Sequence, residues 1–324
     1  MASTVTLPTH RSVRVQALLG LLVANVFWGL SFPLIKALVL LHEAILPNSG
    51  TWFITSMVLA PRFVLATVVV LVWQALRRRG LGCTRGEWEQ GAVIGLFAVA
   101  GMIFQSDGLQ FTAASTSAFL TQLYAILIPL YVAWRTGVRP GRIIWISAGL
   151  VLAGVAILGR LDWRDLKLGR GEWETLLASL FFMGQILWLE KPKYATNRPE
   201  NVTLVMFATE SVVLLAAVGL TMPSVDAVAA LSGTWLIFTG VLTLLCTVGA
   251  YTLMNTWQPK ISATEAGLIY CIEPVFGSIM ALFLPAWFSV WAVITYPNEL
   301  ATWTLVVGGG LITLANLLVQ LRKN

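Results

Sequence analysis

The 324-residue chain is poor in the residues that most enzymes use for chemistry. It has 3 cysteines and 2 histidines. Cys83, Cys246 and Cys271 are too far apart for a disulfide framework or a metal-ligand spacing. His10 and His42 both lie outside the apolar runs, so neither a histidine-based catalytic centre nor a bound metal is expected. No Walker motif is present, which argues against direct ATP drive. Charge is scarce as well. Only 11% of residues are Asp, Glu, Lys or Arg, against about 25% in a soluble domain. No stretch is polar enough and long enough for a soluble domain, which also disfavours a sensor or scaffold.

What remains is apolar. Hydrophobic residues make up 57% and mean hydropathy is +0.80. Runs of about 17 residues or more suffice to cross a bilayer. Ten such runs are found, near 15–41, 53–76, 90–107, 115–134, 142–159, 173–190, 202–221, 234–256, 265–284 and 301–320. The first is too long for a removable signal peptide. Basic residues stay with the cytoplasmic side. Arg14, Arg77, Arg78, Arg79, Arg135, Arg139, Arg142, Lys191, Lys193 and Arg198 share the side of the N-terminus. The opposite side carries Arg160, Arg164, Lys167 and Arg170, offset by Asp162, Asp165, Glu172 and Glu174. Both termini are therefore expected in the cytoplasm, with the chain multi-pass in the inner (plasma) membrane. The net charge of +6 follows from this topology and gives no reason to expect nucleic acid as a partner.

The chain also repeats itself. Ser117 to Tyr124, running on to Pro129, returns in altered form as Ala263 to Leu268, running on to Glu273-Pro274. Phe27-Trp28-Gly29 with Lys36 is matched by Phe182-Met183-Gly184 with Lys191, and Gly149 to Gly154 by Gly310 to Ala315. Five spans per half make the second half enter from the opposite side. The expected fold is an all-α integral membrane protein of ten transmembrane helices in two inverted five-helix repeats, residues 1–160 and 161–324. Inverted repeats allow one site to face each side in turn.

Four segments resemble the EamA family of the drug/metabolite transporter superfamily: Trp28-Gly29-x-Ser31-Phe32 through Lys36, Ala60-Pro61-Arg62-Phe63, Thr116-Ser117-Ala118-Phe119-Leu120 through Tyr124 and Pro129, and Ala263-Thr264-Glu265-Ala266 through Glu273-Pro274-Val275-Phe276. The resemblance covers nearly the whole chain and is nearest to the family's amino-acid exporters, those for aromatic amino acids included. It implies export or exchange of a small molecule across the lipid bilayer without covalent chemistry, and it does not choose the substrate. Amino acids, aromatic and apolar included, are the favoured cargo. Efflux of cationic drugs is the alternative. A membrane-embedded enzyme is disfavoured, because no cluster of nucleophile, base or metal ligands is visible. No cofactor is expected, and the driving force is either a proton gradient or the substrate's own gradient.

Polar groups retained in lipid are candidates for a cavity. The candidate substrate-binding residues are Trp28, Gln122, Tyr124, Tyr251, Asn255, Tyr270 and Glu273. Ser115, Phe119 and Gln122 share one face of the fourth span, and Gln122 bonds either a substrate or a neighbouring backbone. Tyr270 and Glu273 share another face, as do Tyr251 and Asn255. Glu273 precedes Pro274 and serves either as a proton or amine site or as a structural partner at the kink. Arg62 and Glu210 lie at matching depths in spans 2 and 7, about 12–14 Å in at 1.5 Å per residue. Each is expected to find a partner across the bundle. Lys36 and Asp107 mark outer ends. Trp287, Trp291 and Tyr296 read as an interfacial belt in the outer loop.

Overall fold

The computed structural model describes residues 11–47, 49–77, 82–111, 117, 120–158, 169–222 and 232–321. Ser115, Phe119, His10, Arg78, Arg79, Arg160, Arg164 and Lys167, to which the sequence reading gave roles, lie outside the described residues.

Among the described residues the chain is helical, without strands. The helices are α1 (Arg11–Ile45), α2 (Thr51–Leu76), α3 (Arg85–Gly108), α4 (Tyr124–Thr136), α5 (Arg142–Leu158), α6 (Arg170–Leu189) and α7 (Pro199–Thr221). They are followed by α8 (Gly233–Val241), a π-helical stretch (Leu242–Gly249), α9 (Ala250–Trp257), α10 (Ala263–Tyr270), α11 (Glu273–Ala281), α12 (Leu284–Ala292) and α13 (Trp303–Leu321). Among the described residues, five helices are long and apolar enough to cross a bilayer: Ser12–Ile45, Thr51–Leu76, Arg85–Gly108, Pro199–Thr221 and the continuous Gly233–Lys260. The segment Ala263–Ala281 forms a pair with α12 that is bent by 60°. The other apolar segments fold as shorter helices. Large aliphatic side chains such as Leu19, Val68, Leu215, Leu220 and Leu244 point outward and are exposed, the arrangement lipid requires.

Two sequence expectations need correction. His42 does not lie beyond the first helix. The apolar run continues through Ile45, so His42 is inside α1, buried, with Nδ1 bonded to the Leu38 carbonyl at 2.7 Å. Trp287 and Trp291 are not in a loop. Pro285 fits the first turn of a helix, so the chain restarts as α12 and ends at Val293 with φ 54. Both indoles are exposed there, 6.5 Å apart.

The helix contacts include α2 with α7, α4 with α10, α5 with α13, α3 with α6 and α1 with α9, and also α3 with α7, α2 with the π-helical stretch, α1 with α11 and α4 with α6. Exchanging the five spans of the first half for those of the second leaves this set of pairs unchanged. Small residues let helices approach where no hydrophobic force acts between them. A Cβ on Gly101 of α3 would lie 2.7 Å from the Phe182 ring of α6, and a Cβ on Gly184 of α6 would lie 2.6 Å from the Phe97 ring of α3. Each glycine receives the other helix's phenylalanine. Gly184→Leu is therefore expected to lower stability by about 1–3 kcal/mol through overpacking, read as a lower Tm in detergent. Gly240→Leu, with open space at its Cβ, is the control.

Candidate functional site

The site begins at the break between α10 and α11. Pro274 has no N–H, and its ring would collide with the carbonyl of Tyr270, four residues back. The helix therefore stops at Tyr270. Cys271 and Ile272 donate instead to the carbonyls of Leu268 (3.3 Å) and Ile269 (3.1 Å), as a tight turn. This places Glu273 as the first residue of α11, where free amides and the helix dipole favour a carboxylate. The first half breaks in a similar region. Gln122 and Leu123 form a turn before α4, and Pro129 lies inside that helix. The two broken segments touch, since Gly267 leaves room for Ile128 and Tyr124.

Beside the break is a narrow cavity with about 70 Å³ of space for water-sized molecules. Trp28 lines it. Its ring is 5.4 Å from both Tyr251 and Tyr270, edge-on to each at 67° and 73°. Tyr124, Phe182 and Met102 extend the apolar wall. The polar lining residues described are Ser31, Gln105, Thr121, Gln185 and Glu273, with no lysine or arginine among them. Two buried donors in the lining have no partner, Trp28 Nε1 and Gln185 Nε2. Gln105 Nε2 is engaged, donating to Thr121 Oγ1 at 3.0 Å.

Ile35 and Leu109 extend the lining toward the face bearing Asp107. At the other end Gln258, fully buried, closes the floor. Its Nε2 donates to the Ile186 carbonyl at 2.9 Å, and its Oε1 accepts from the Tyr270 hydroxyl at 2.8 Å. Beyond it lies a second cleft, lined in part by Arg14, Gln90, Glu190, Lys191, Asn255 and Glu265. There Arg14 pairs with Glu265 at 3.1 Å, and Glu190 accepts from the Ala263 amide at 2.6 Å. On the same face, the hydrogen bond from Lys193 to Glu89 (2.6 Å) holds the Lys193 ammonium above the usual lysine range. Gln258→Leu removes both latch bonds and leaves the Tyr270 hydroxyl and the Ile186 carbonyl unpaired. Each loss costs about 1–3 kcal/mol. In a Cys83→Ser background, maleimide labelling of the buried Cys271, which follows Tyr270, should rise several-fold. Unchanged labelling would count against Gln258 as the partition between the clefts.

The sequence candidates are thus divided. Trp28, Tyr124, Tyr251, Tyr270 and Glu273 line the cavity. Gln122 is buried beside it but is not among the lining residues. Asn255 faces the second cleft and donates to Thr203 Oγ1 at 2.9 Å. Sequence reasoning missed Gln105, Gln185 and Gln258. Gln105 and Gln185 are amides in apolar helices, the signal that singled out Gln122; Gln258 lies just past the end of its apolar run, in the turn Gln258–Lys260, and carried no such signal.

The fully buried Asp107, near the end of α3, is bound by Arg170 Nη2 at 2.5 Å, and Arg170 Nε reaches Glu174 at 2.7 Å. The end of α3 is so tied to the start of α6. Arg62 is fully buried. It donates through Nε to Thr247 Oγ1 and through Nη2 to the Cys246 carbonyl (3.3 Å), both in the π-helical stretch.

An all-helical apolar bundle with helices broken at an aromatic cavity is the architecture of a membrane transporter. Residues 15–160 match the EamA-like transporter family. The chain is similar to an uncharacterized transporter of Archaeoglobus fulgidus, 24% identical over 311 residues that cover 95% of this chain and 87% of the relative. It superposes on the crystal structure of a protein with a TM-score of 0.70, 17% identity, and coverage of 95% of this chain and 97% of the other. That likeness is one of fold.

Proposed function

We propose that the chain is a secondary transporter that exports or exchanges amino acids, aromatic and apolar included, by alternating access. Two inverted halves, 1–160 and 161–324, would rock about the cavity, with both termini cytoplasmic in the inner membrane. The self-mapping set of helix pairs supports the inverted repeat. A cavity whose lining residues Ile186 and Tyr270 are tied together by Gln258 on the side of the second cleft supports one end state of the cycle. The observation that carries the substrate reading is the pairing of opposite polarities on one apolar wall. Glu273 offers an acceptor for an α-ammonium group. Trp28 Nε1 and Gln185 Nε2 offer unpaired donors for an α-carboxylate. Trp28, Tyr251 and Tyr270 offer ring faces and edges to a side chain. Efflux of organic cations is the second reading, favoured by Glu273 and the absence of basic lining residues, but it leaves both donors without use.

Counterflow into proteoliposomes tests the choice, with labelled phenylalanine, tryptophan, leucine and threonine beside tetraphenylphosphonium. Accumulation of phenylalanine is expected. Accumulation of tetraphenylphosphonium alone would replace this reading with cation efflux.

A further inference from the structure

A second group of buried charges lies off the cavity, where α2 and α7 cross. Phe63 and Phe207 meet there at 6.1 Å, and Thr67 Oγ1 and Ser211 Oγ at 3.0 Å. Next to these contacts sit Arg62, beside Phe63, and Glu210, beside Ser211, both fully buried and within Coulomb reach of each other. They form no ion pair in this conformation. The guanidinium is turned to the π-helical stretch, and its Nη1 has no partner. Both Glu210 oxygens are buried without a hydrogen bond.

An ionised carboxylate stripped of water and donors costs far more than a protonated one. Two states remove that cost. Either the carboxyl keeps a proton, or Arg62 leaves the Cys246 carbonyl and pairs with it. Arg62 and Glu210 occupy matching positions of helices that pair with each other, so the pair lies near the axis relating the halves. A group there is no closer to one face than to the other. We propose that Glu210 is a proton-binding site, loaded in this conformation and discharged when Arg62 takes the carboxylate as its partner. The proton passes to solvent in the cavity beside Tyr251, which lines that cavity and lies within Coulomb reach of both groups. Charge balances, because one proton leaves as the guanidinium arrives.

The other titratable groups facing this site are Cys246 in the π-helical stretch and Tyr251 on α9, with Glu273 beyond Tyr251. The charged residues of α3, namely Arg85, Glu87, Glu89 and Asp107, stand at its two ends. The proposal goes beyond the transport reading and is tested apart from it. Infrared difference spectra of the full chain in detergent at neutral pH should contain a protonated-carboxyl stretch. Glu210→Gln should remove that band and Glu273→Gln should leave it. Because Glu210 makes no hydrogen bond to lose, Glu210→Gln is expected to fold. Should it not accumulate, Glu210→Asp must shift the band. Arg62→Gln, lacking the replacement partner, should keep the band to higher pH than the unsubstituted chain. A spectrum without the band, or a band indifferent to Glu210 substitution, overturns the proposal whether or not phenylalanine counterflow is found.

Discussion

Glu273→Gln is expected to lower phenylalanine counterflow by about 10- to 100-fold, the loss of one charge-assisted hydrogen bond worth about 1.5–3 kcal/mol. Glutamine keeps the size of the side chain and its place at the start of α11, but it cannot carry the charge that attracts an ammonium group. Glu273→Asp keeps the charge and retracts it by one methylene, so it should fall between the two. Reconstituted flux measured beside thermal stability decides the matter. Equal flux loss in both variants with lowered Tm would mean that Glu273 holds the break at Pro274 and does not meet the substrate. A Glu273→Gln variant with full flux would remove it from the site.

Gly29→Val should be the most damaging packing change. A Cβ at Gly29 would lie 2.7 Å from the Phe276 Cβ and 2.9 Å from the Gly277 backbone nitrogen. Backbone cannot turn aside as a flexible side chain can, so α1 must part from α11. The cost is at least the ~1–3 kcal/mol of ordinary overpacking. Trp28 precedes Gly29 and Glu273 opens α11, so the separation would also widen the distance between ring and carboxylate. Thermal denaturation in detergent should show a clear drop relative to Gly149→Val, where a Cβ meets nothing within 4 Å. Retained Tm with Gly29→Val would mean that the two helices are not held at this distance.

Much of this was legible in the sequence because lipid restricts what a chain can do. Long apolar runs have few alternatives to helix, and α1, α2, α3 and α7 appear where those runs lie. Pro274 announced its break, since a missing amide and a ring clash act locally. Pro129 ends the first copy of the repeated segment, yet its helix is intact there and the turn falls earlier, at Gln122 and Leu123. A proline can be accommodated within a membrane helix when neighbours satisfy the freed carbonyl. Asn255 shares a face with Tyr251, as expected, but lies one turn further along α9 and so faces the second cleft and not the cavity; pattern gives the face and not the depth at which the cavity closes. The partner of Arg62 was hidden because pattern does not say which groups a buried side chain meets on a neighbouring helix. It is a carbonyl and a hydroxyl in a stretch of π-helix that hydropathy reads as ordinary helix.

That stretch sets the rotational phase of everything after it. A π-turn takes in about one residue more than an α-turn, and one residue corresponds to about 100° of rotation at 3.6 residues per turn. Leu242–Gly249 separates α8, whose Phe238 packs against Phe288, from α9, whose Tyr251 meets Trp28. The direction in which Tyr251 points is therefore fixed by a count of residues upstream as well as by the packing around its ring. Removing one residue between Leu242 and Gly249 would take nothing from the cavity wall, yet it would turn the cavity-facing side of α9 away from Trp28.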